Sequence, residues 1–144
     1  MELEMTVALS SQAPGAIRES LERRYTATMA PSLLDDIKIM ASELVTNAVV
    51  HSGCPKGDPL SVSSTVANGI VHVEVVDQGL GIALLEPRSL MPPSVLGYLE
   101  ILSDRWSSHQ GNSFHVWFEI DVTSQTLVTR ARPIEREDGN ETWP

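Results

Sequence analysis

Two polar residues, Glu43 and Asn47, lie four positions apart in the stretch Ser42–His51. In an α-helix this spacing places one side chain above the other on the same face. Asp36 precedes Glu43 by seven residues and falls on the same flank of the helix. A carboxylate and an amide held together at the edge of a core can serve a metal ion or a reacting oxygen. For an arbitrary sequence, a solvated helix face is the commoner explanation.

A second candidate is Asp77, which is followed by Gln78 and the two glycines Gly79 and Gly81. The alternating valines of Val71–Val75 predict that the Asp77 carboxylate continues an apolar strand face, where it is costly without a hydrogen-bond donor. Glycines at this spacing let the backbone turn sharply or approach a ligand closely. A strand that simply ends in a turn is the alternative explanation.

The apolar spacing predicts two helices that would position the first pair of residues. One runs over residues 16–29, with Ser10 or the serine after it as the N-cap. The other ends at about His51 and begins after Ser32, which with Asp35 resembles a capping box.

The clearest hairpin signal is Asn68-Gly69, a pair favoured in two-residue type I′ turns. It predicts that strands Leu60–Ala67 and Ile70–Asp77 pair with Val62 opposite Val75. Residues 82–96, which contain three prolines, predict a loop.

Further along, the pattern predicts a helix over Ser94–Ser103 and strands over Arg105–Ser108 and Phe114–Asp121. Helices and hairpins in this order predict an α+β fold, a two-layer sandwich with the helices on one face of a mixed, mostly antiparallel sheet. We expect one domain over residues 1–122 and a polar, weakly ordered tail over 123–144.

The amino-acid composition limits the binding partners and the cell compartment that we expect for this chain. The 144 residues carry a net charge of -9, which disfavours nonspecific binding to nucleic acid or to an anionic membrane. The single Cys54 excludes an internal disulfide, and no apolar run reaches membrane length. We therefore expect a cytoplasmic protein. Its densest basic cluster, a solvated face or a docking surface for an acidic partner, consists of Arg18, Arg23 and Arg24.

Read together, the ordered motifs resemble the GHKL ATPase superfamily, whose fold is the Bergerat fold. Within it they are most similar to bacterial anti-sigma-factor serine/threonine kinases. The resemblance covers about residues 7–121 and rests on the blocks Glu43–His51, Asp77–Gly81, Asp104–Trp106 and Val116–Glu119.

The resemblance implies a role for each site residue. Glu43 would orient or deprotonate the attacking hydroxyl or water, and Asn47 would bind the Mg²⁺ that bridges the nucleotide phosphates. Asp77 would accept a hydrogen bond from the adenine amino group, with Gly79 and Gly81 leaving room for base and ribose. The implied cofactors are ATP and Mg²⁺. The implied partners are a sigma factor, an anti-anti-sigma antagonist, ATP or ADP and a second copy of the chain.

The sequence departs from the family at two places. The family's further Gly-x-Gly, whose amides wrap the phosphates, is replaced by Pro93-Ser94-Val95, and proline has no N–H to offer. The family's Gly-Thr before the last strand appears as Ser113-Phe114-His115. These departures predict weakened ATP binding or lost turnover.

Three functions remain in competition. The first is an ATP-dependent kinase that sequesters a sigma factor and phosphorylates an antagonist, with impaired catalysis. The second is a non-catalytic adaptor of the same fold that has lost efficient nucleotide binding. The third, an ATPase module of a sensor kinase, is disfavoured because no helix with a phospho-accepting histidine precedes the domain.

Overall fold

The computed structural model describes residues 2–79 and 94–122. In these residues five strands form one sheet in the order β1-β2-β3-β5-β4. The strands are β1 (Glu2–Ala8), β2 (Pro59–Ala67), β3 (Ile70–Asp77), β4 (Arg105–Gln110) and β5 (Phe114–Asp121). The helices within the described residues are α1 (Ala13–Tyr25), α2 (Pro31–His51) and α3 (Ser94–Leu102).

The three helices of the described part of the chain and one face of the sheet enclose a hydrophobic core. Side chains of β3 and β5 alternate between buried and half-buried, as expected when one face of a sheet is covered and the other faces solvent. The expected α+β sandwich is confirmed. Every strand pairing in the described part of the chain is antiparallel, so the parallel component allowed by a mixed sheet is not found there.

The predicted β2–β3 hairpin is confirmed in turn and register. Asn68 and Gly69 both have positive φ, 54° and 76°, as a type I′ turn requires. Val62 pairs with Val75 as expected. The register also fixes the orientation of Asp77, whose side chain lies on the covered face of the sheet.

The ends of the first two helices differ from the prediction. Helix α1 runs over Ala13–Tyr25 rather than 16–29. At its start, Ser10 lies before a short turn, and Gln12 occupies the N-cap position without a side-chain cap. The proposed capping box is wrong, since α2 starts at Pro31 and its N-cap residue is Ala30. Proline at the first helical position fixes φ there without needing a cap.

The later elements follow the prediction closely. Helix α3 ends at Leu102, one residue early, and β4 continues to Gln110, two residues beyond the predicted end. Residues 80–93 and the tail 123–144 lie outside the described residues, so the loop and the domain boundary stay predictions. None of the described helices is long and apolar enough to cross a membrane.

Candidate functional site

Helix α2 holds the first group of candidate residues. The helix contacts α1 and α3 and lies over β3, which buries one broad face of it. Asp36 is only 5% exposed, and Glu43 and Asn47 are half-buried. A helix face that merely faced solvent would leave these polar groups exposed. The solvated-face explanation of the pattern therefore does not hold for Asp36.

Asn47 carries an orphaned buried atom. Its Oδ1 is buried and has no hydrogen-bond partner, the one such side-chain atom among the described residues. Leaving a buried amide oxygen unpaired costs about 1–3 kcal/mol, so such atoms are rare and call for an explanation. A cation or a donor that binds at this position would remove that cost.

Asp77, at the end of β3, is a buried carboxylate that is only 5% exposed. Its Oδ1 accepts a hydrogen bond of 2.6 Å from the backbone N–H of Gly79. Burial raises the pKa of the Asp77 carboxyl above its ordinary value, and the Gly79 hydrogen bond and the nearby His115 ring partly offset that effect. Asp77 is thus a buried acceptor that gains from any further N–H donor.

Gly79, just after β3, packs closely against Ser52 at the end of α2. A Cβ atom at this position would lie 2.4 Å from the carbonyl oxygen of Ser52 and 2.8 Å from its Cβ. No side chain fits into this contact, because real Cβ atoms do not approach backbone that closely. The contact matters for the site, because Ser52 follows Asn47 by five residues, about 7.5 Å along a helix axis. The orphaned amide and the buried carboxylate therefore lie near the same end of α2.

The turn between β4 and β5 closes the other side of the Asp77 segment. Gln110 Nε2 donates to the carbonyl oxygen of Gly79 at 3.3 Å, and Ser113 Oγ donates to Gln78 Oε1 at 3.5 Å. Sequence reasoning missed Gln110 and Ser52. Their contacts with Gly79 span about 30 residues of chain, and no local pattern signals such a contact.

The Asp104-Arg105-Trp106 block serves structure rather than the site. Asp104 Oδ2 accepts the backbone N–H of Asp121, and Arg105 Nε lies 2.9 Å from Glu119 Oε1. Trp106 Nε1 donates to Glu100 Oε2 at 2.8 Å, which ties α3 to the edge strand β4.

Gly81, a predicted site residue, and Pro93 lie outside the described residues, and Ser94 begins α3.

An open groove of ≈ 470 Å³ lies at the β1–β2 side of the sheet. None of its lining residues belongs to the candidate site; they are Glu4, Met5, Thr6, Ser61, Val62 and Ser63.

Comparison with known proteins identifies the family to which this fold belongs. Residues 7–97, more than half of the chain, match the histidine kinase-like ATPase domain family. The chain therefore belongs to that family. The resemblance that the motifs indicate is confirmed.

Relatives of the chain include anti-sigma F factors. The chain is 34% identical to the one from Clostridium acetobutylicum over 74 residues, 47% of this chain and 52% of that protein. It is 36% identical to the one from Pasteuria penetrans over 90 residues, 60% of this chain and 58% of that protein. The chain thus spans about half the length of the curated relatives it matches.

A solved structure supports the fold. The RsbU and RsbW domains of a Mycobacterium tuberculosis protein superimpose with a TM-score of 0.67 over 83% of this chain and 32% of that chain. The sequence identity is 20%, so this likeness shows the architecture alone.

Proposed function

We propose that this chain is an anti-sigma regulator that binds Mg-ATP between α2 and the end of β3 and transfers the γ-phosphate to a serine of an anti-anti-sigma antagonist. One observation carries the proposal. The buried, unpartnered Oδ1 of Asn47 lies near the same end of α2 as the buried carboxylate of Asp77. The family match and the similarity to anti-sigma F factors support it.

Asp77 would recognise the base. A buried carboxylate with one backbone donor has further lone pairs to satisfy, and the exocyclic amino group of adenine is an N–H donor. Guanine offers a carbonyl oxygen at the corresponding position, which would face the carboxylate unfavourably. Gly79 and Gly81 would leave room for the base and ribose, as the family resemblance implies. At Gly79 a side chain would in addition collide with Ser52.

Asn47 would hold the metal. The donor set fits Mg²⁺, since this ion takes oxygen ligands and completes its shell with water and phosphate oxygens. Among the described residues no cluster of three or more His, Cys, Asp or Glu side chains could form a protein-only metal site. The bound ion would neutralise charge on the phosphates. The role of Asn47 is to offer Oδ1 from a position fixed by α2.

Glu43 would act on the nucleophile. It lies one helical turn before Asn47 and is half-buried, so its carboxylate would border the phosphates while part of it stays exposed to solvent. There it would orient the serine hydroxyl of the antagonist and accept its proton as the oxygen attacks. We further propose a sigma factor as the protein that the regulator sequesters, and a homodimer as its assembly state.

We propose slow turnover, because Pro93-Ser94-Val95 offers fewer free amides than the glycines that usually wrap the phosphates. That same departure favours a second candidate function, a non-catalytic adaptor that binds the same protein partners by its surface. Retention of Glu43 and Asn47 in the flank of α2 argues for the kinase, because an adaptor gains nothing from a buried, unpaired amide oxygen.

Transfer of radiolabelled γ-phosphate to a purified candidate antagonist tests turnover. We expect slow labelling of one serine by the wild type and a further loss of about 10²- to 10⁴-fold in Glu43→Gln, which keeps the shape but cannot accept a proton. Thr46→Ala, an exposed change one turn away, is the matched control. Complex formation without any labelling would favour the adaptor.

A further inference from the structure

The segment that follows Asp77 lies beyond the end of its strand ladder. The last pair between β3 and β5 is Asp77 with Phe114. Gln78 and Gly79 come after that pair, so the strand pairing does not fix their backbone. Glycine has the widest choice of backbone angles, which makes Gly79 the residue most in need of another constraint.

Gln110 supplies that constraint from the last position of β4. Its Nε2 atom donates to the Gly79 carbonyl at 3.3 Å and to the Gly111 carbonyl at 3.2 Å. A carboxamide nitrogen carries two hydrogens, so it can serve both acceptors at once. The side chain of Gln110 thereby bridges the turn that contains Gly111 and the segment that contains Gly79.

We propose that Gln110 is a positioning residue for the adenine-binding carboxylate, holding Gly79 so that its N–H stays on Asp77. The N–H of Gly79 is bound to Asp77 Oδ1 at 2.6 Å, and its carbonyl is bound to Gln110. With both polar groups engaged, Gly79 keeps one pair of backbone angles. The Asp77 carboxylate in turn keeps one orientation toward the base.

This inference rests on the proposed function for its consequence but not for its geometry. The contact with Ser52 restricts one side of Gly79, but without Gln110 the Gly79 carbonyl loses the hydrogen bond that helps to keep its N–H on Asp77. The carboxylate then loses the donor that offsets its burial, and the base meets an acceptor whose orientation varies. The exposed position of Gln110 at the rim of the sheet means that its substitution should disturb the core little.

Two variants and one control test the proposal. Gln110→Ala removes the amide, and Gln110→Glu keeps its size but replaces the donor with an acceptor. Ser107→Ala is the control, since it is an exposed change on the same strand, opposite Trp117. Two quantities are measured in the nucleotide-free protein: the exchange rate of the Gly79 amide and the titration of the Asp77 carboxyl carbon by NMR.

We expect both Gln110 variants to exchange the Gly79 amide about three to ten times faster, which is the effect of one lost hydrogen bond. We expect Asp77 to titrate at higher pH, and Mg-ADP to bind about three to ten times more weakly by calorimetry. Ser107→Ala should match the wild type in all three. If the wild type binds no nucleotide, the proposed function fails while the two NMR readouts still decide the role of Gln110. Unchanged exchange at Gly79 and unchanged Asp77 titration in both variants would overturn the inference.

Discussion

Asp77 combines burial with a single observed backbone donor, and this makes it costly in its ionised form. Desolvation penalises a carboxylate strongly, and one hydrogen bond from Gly79 recovers part of that penalty. A residue that served only folding would be replaced by an apolar side chain at lower cost. A ligand that donates an N–H group to Asp77 would offset the remaining desolvation cost of the carboxylate.

The raised pKa of Asp77 predicts a pH dependence of stability. The folded state holds the Asp77 proton more tightly than the unfolded state does. Stability from this group is therefore fully present below its ordinary pKa of 3.8, and it is lost as pH rises through the raised folded value. In Asp77→Asn this dependence is absent. Urea unfolding across a pH series should show the variant gaining stability relative to the nucleotide-free wild type as pH rises through that window, and parallel profiles would contradict the assignment.

The contact between Gly79 and Ser52 predicts a sharp difference between two glycines. In Gly79→Ala the new Cβ meets the Ser52 carbonyl at 2.4 Å, so backbone must move. We expect a loss of about 1–3 kcal/mol in the free energy of unfolding, measured with urea. The matched control is Gly97→Ala in α3, whose Cβ meets nothing within 4 Å. It should be neutral or gain up to about 1 kcal/mol. Equal effects at the two positions would show that Gly79 does not pack as described.

At the scale of elements, local chemistry determined what the sequence could predict. Asn68-Gly69 fixed the hairpin and its register, because positive φ at two successive residues is tolerated by few pairs. The start of α2 was predicted wrongly, because Pro31 can begin a helix without the capping box that Ser32 suggested. Turns that require particular residue types can be predicted from sequence, whereas the ends of helices depend on tertiary contacts.

Helix α1 is tied to the sheet by a buried hydrogen bond that offers a further prediction. The hydroxyl groups of Tyr25 and Ser64 lie 2.6 Å apart, and both residues are almost fully buried. Tyr25→Phe leaves the serine hydroxyl unpaired, so we expect a loss of about 1–3 kcal/mol on urea unfolding.

A double-mutant cycle separates this bond from packing. Ser64→Ala alone should also destabilise the protein, but Tyr25→Phe combined with Ser64→Ala should cost less than the sum of the two changes. The residues lie away from Asp77, so nucleotide affinity serves as an internal control and should not change. Strict additivity would show that the two hydroxyl groups do not interact.

At the scale of the whole molecule, the sheet order is what brings the site together. Strand β5 inserts between β3 and β4, which places the β4–β5 turn beside the segment after Asp77. Glu43, Asn47 and Asp77 could be chosen as candidate site residues from spacing and motif, because each stands out in its own stretch of sequence, and their roles stay predictions. The contact of Gln110 with Gly79 could not be predicted, because it follows only from that insertion. The negative net charge of the chain suits a partner with a basic face.

Calorimetry of ADP binding, with and without Mg²⁺, tests the central claim that Asn47 and Asp77 form one nucleotide site. We predict that the wild type binds with a Kd below about 1 mM in Mg²⁺, equivalent to about −4 kcal/mol, and more weakly in its absence. Asn47→Ala should lose the dependence on Mg²⁺, and Asp77→Asn should weaken binding under both conditions. The absence of binding heat at ~1 mM nucleotide, or an Asn47→Ala variant whose Mg²⁺ dependence equals that of the wild type, would contradict the claim.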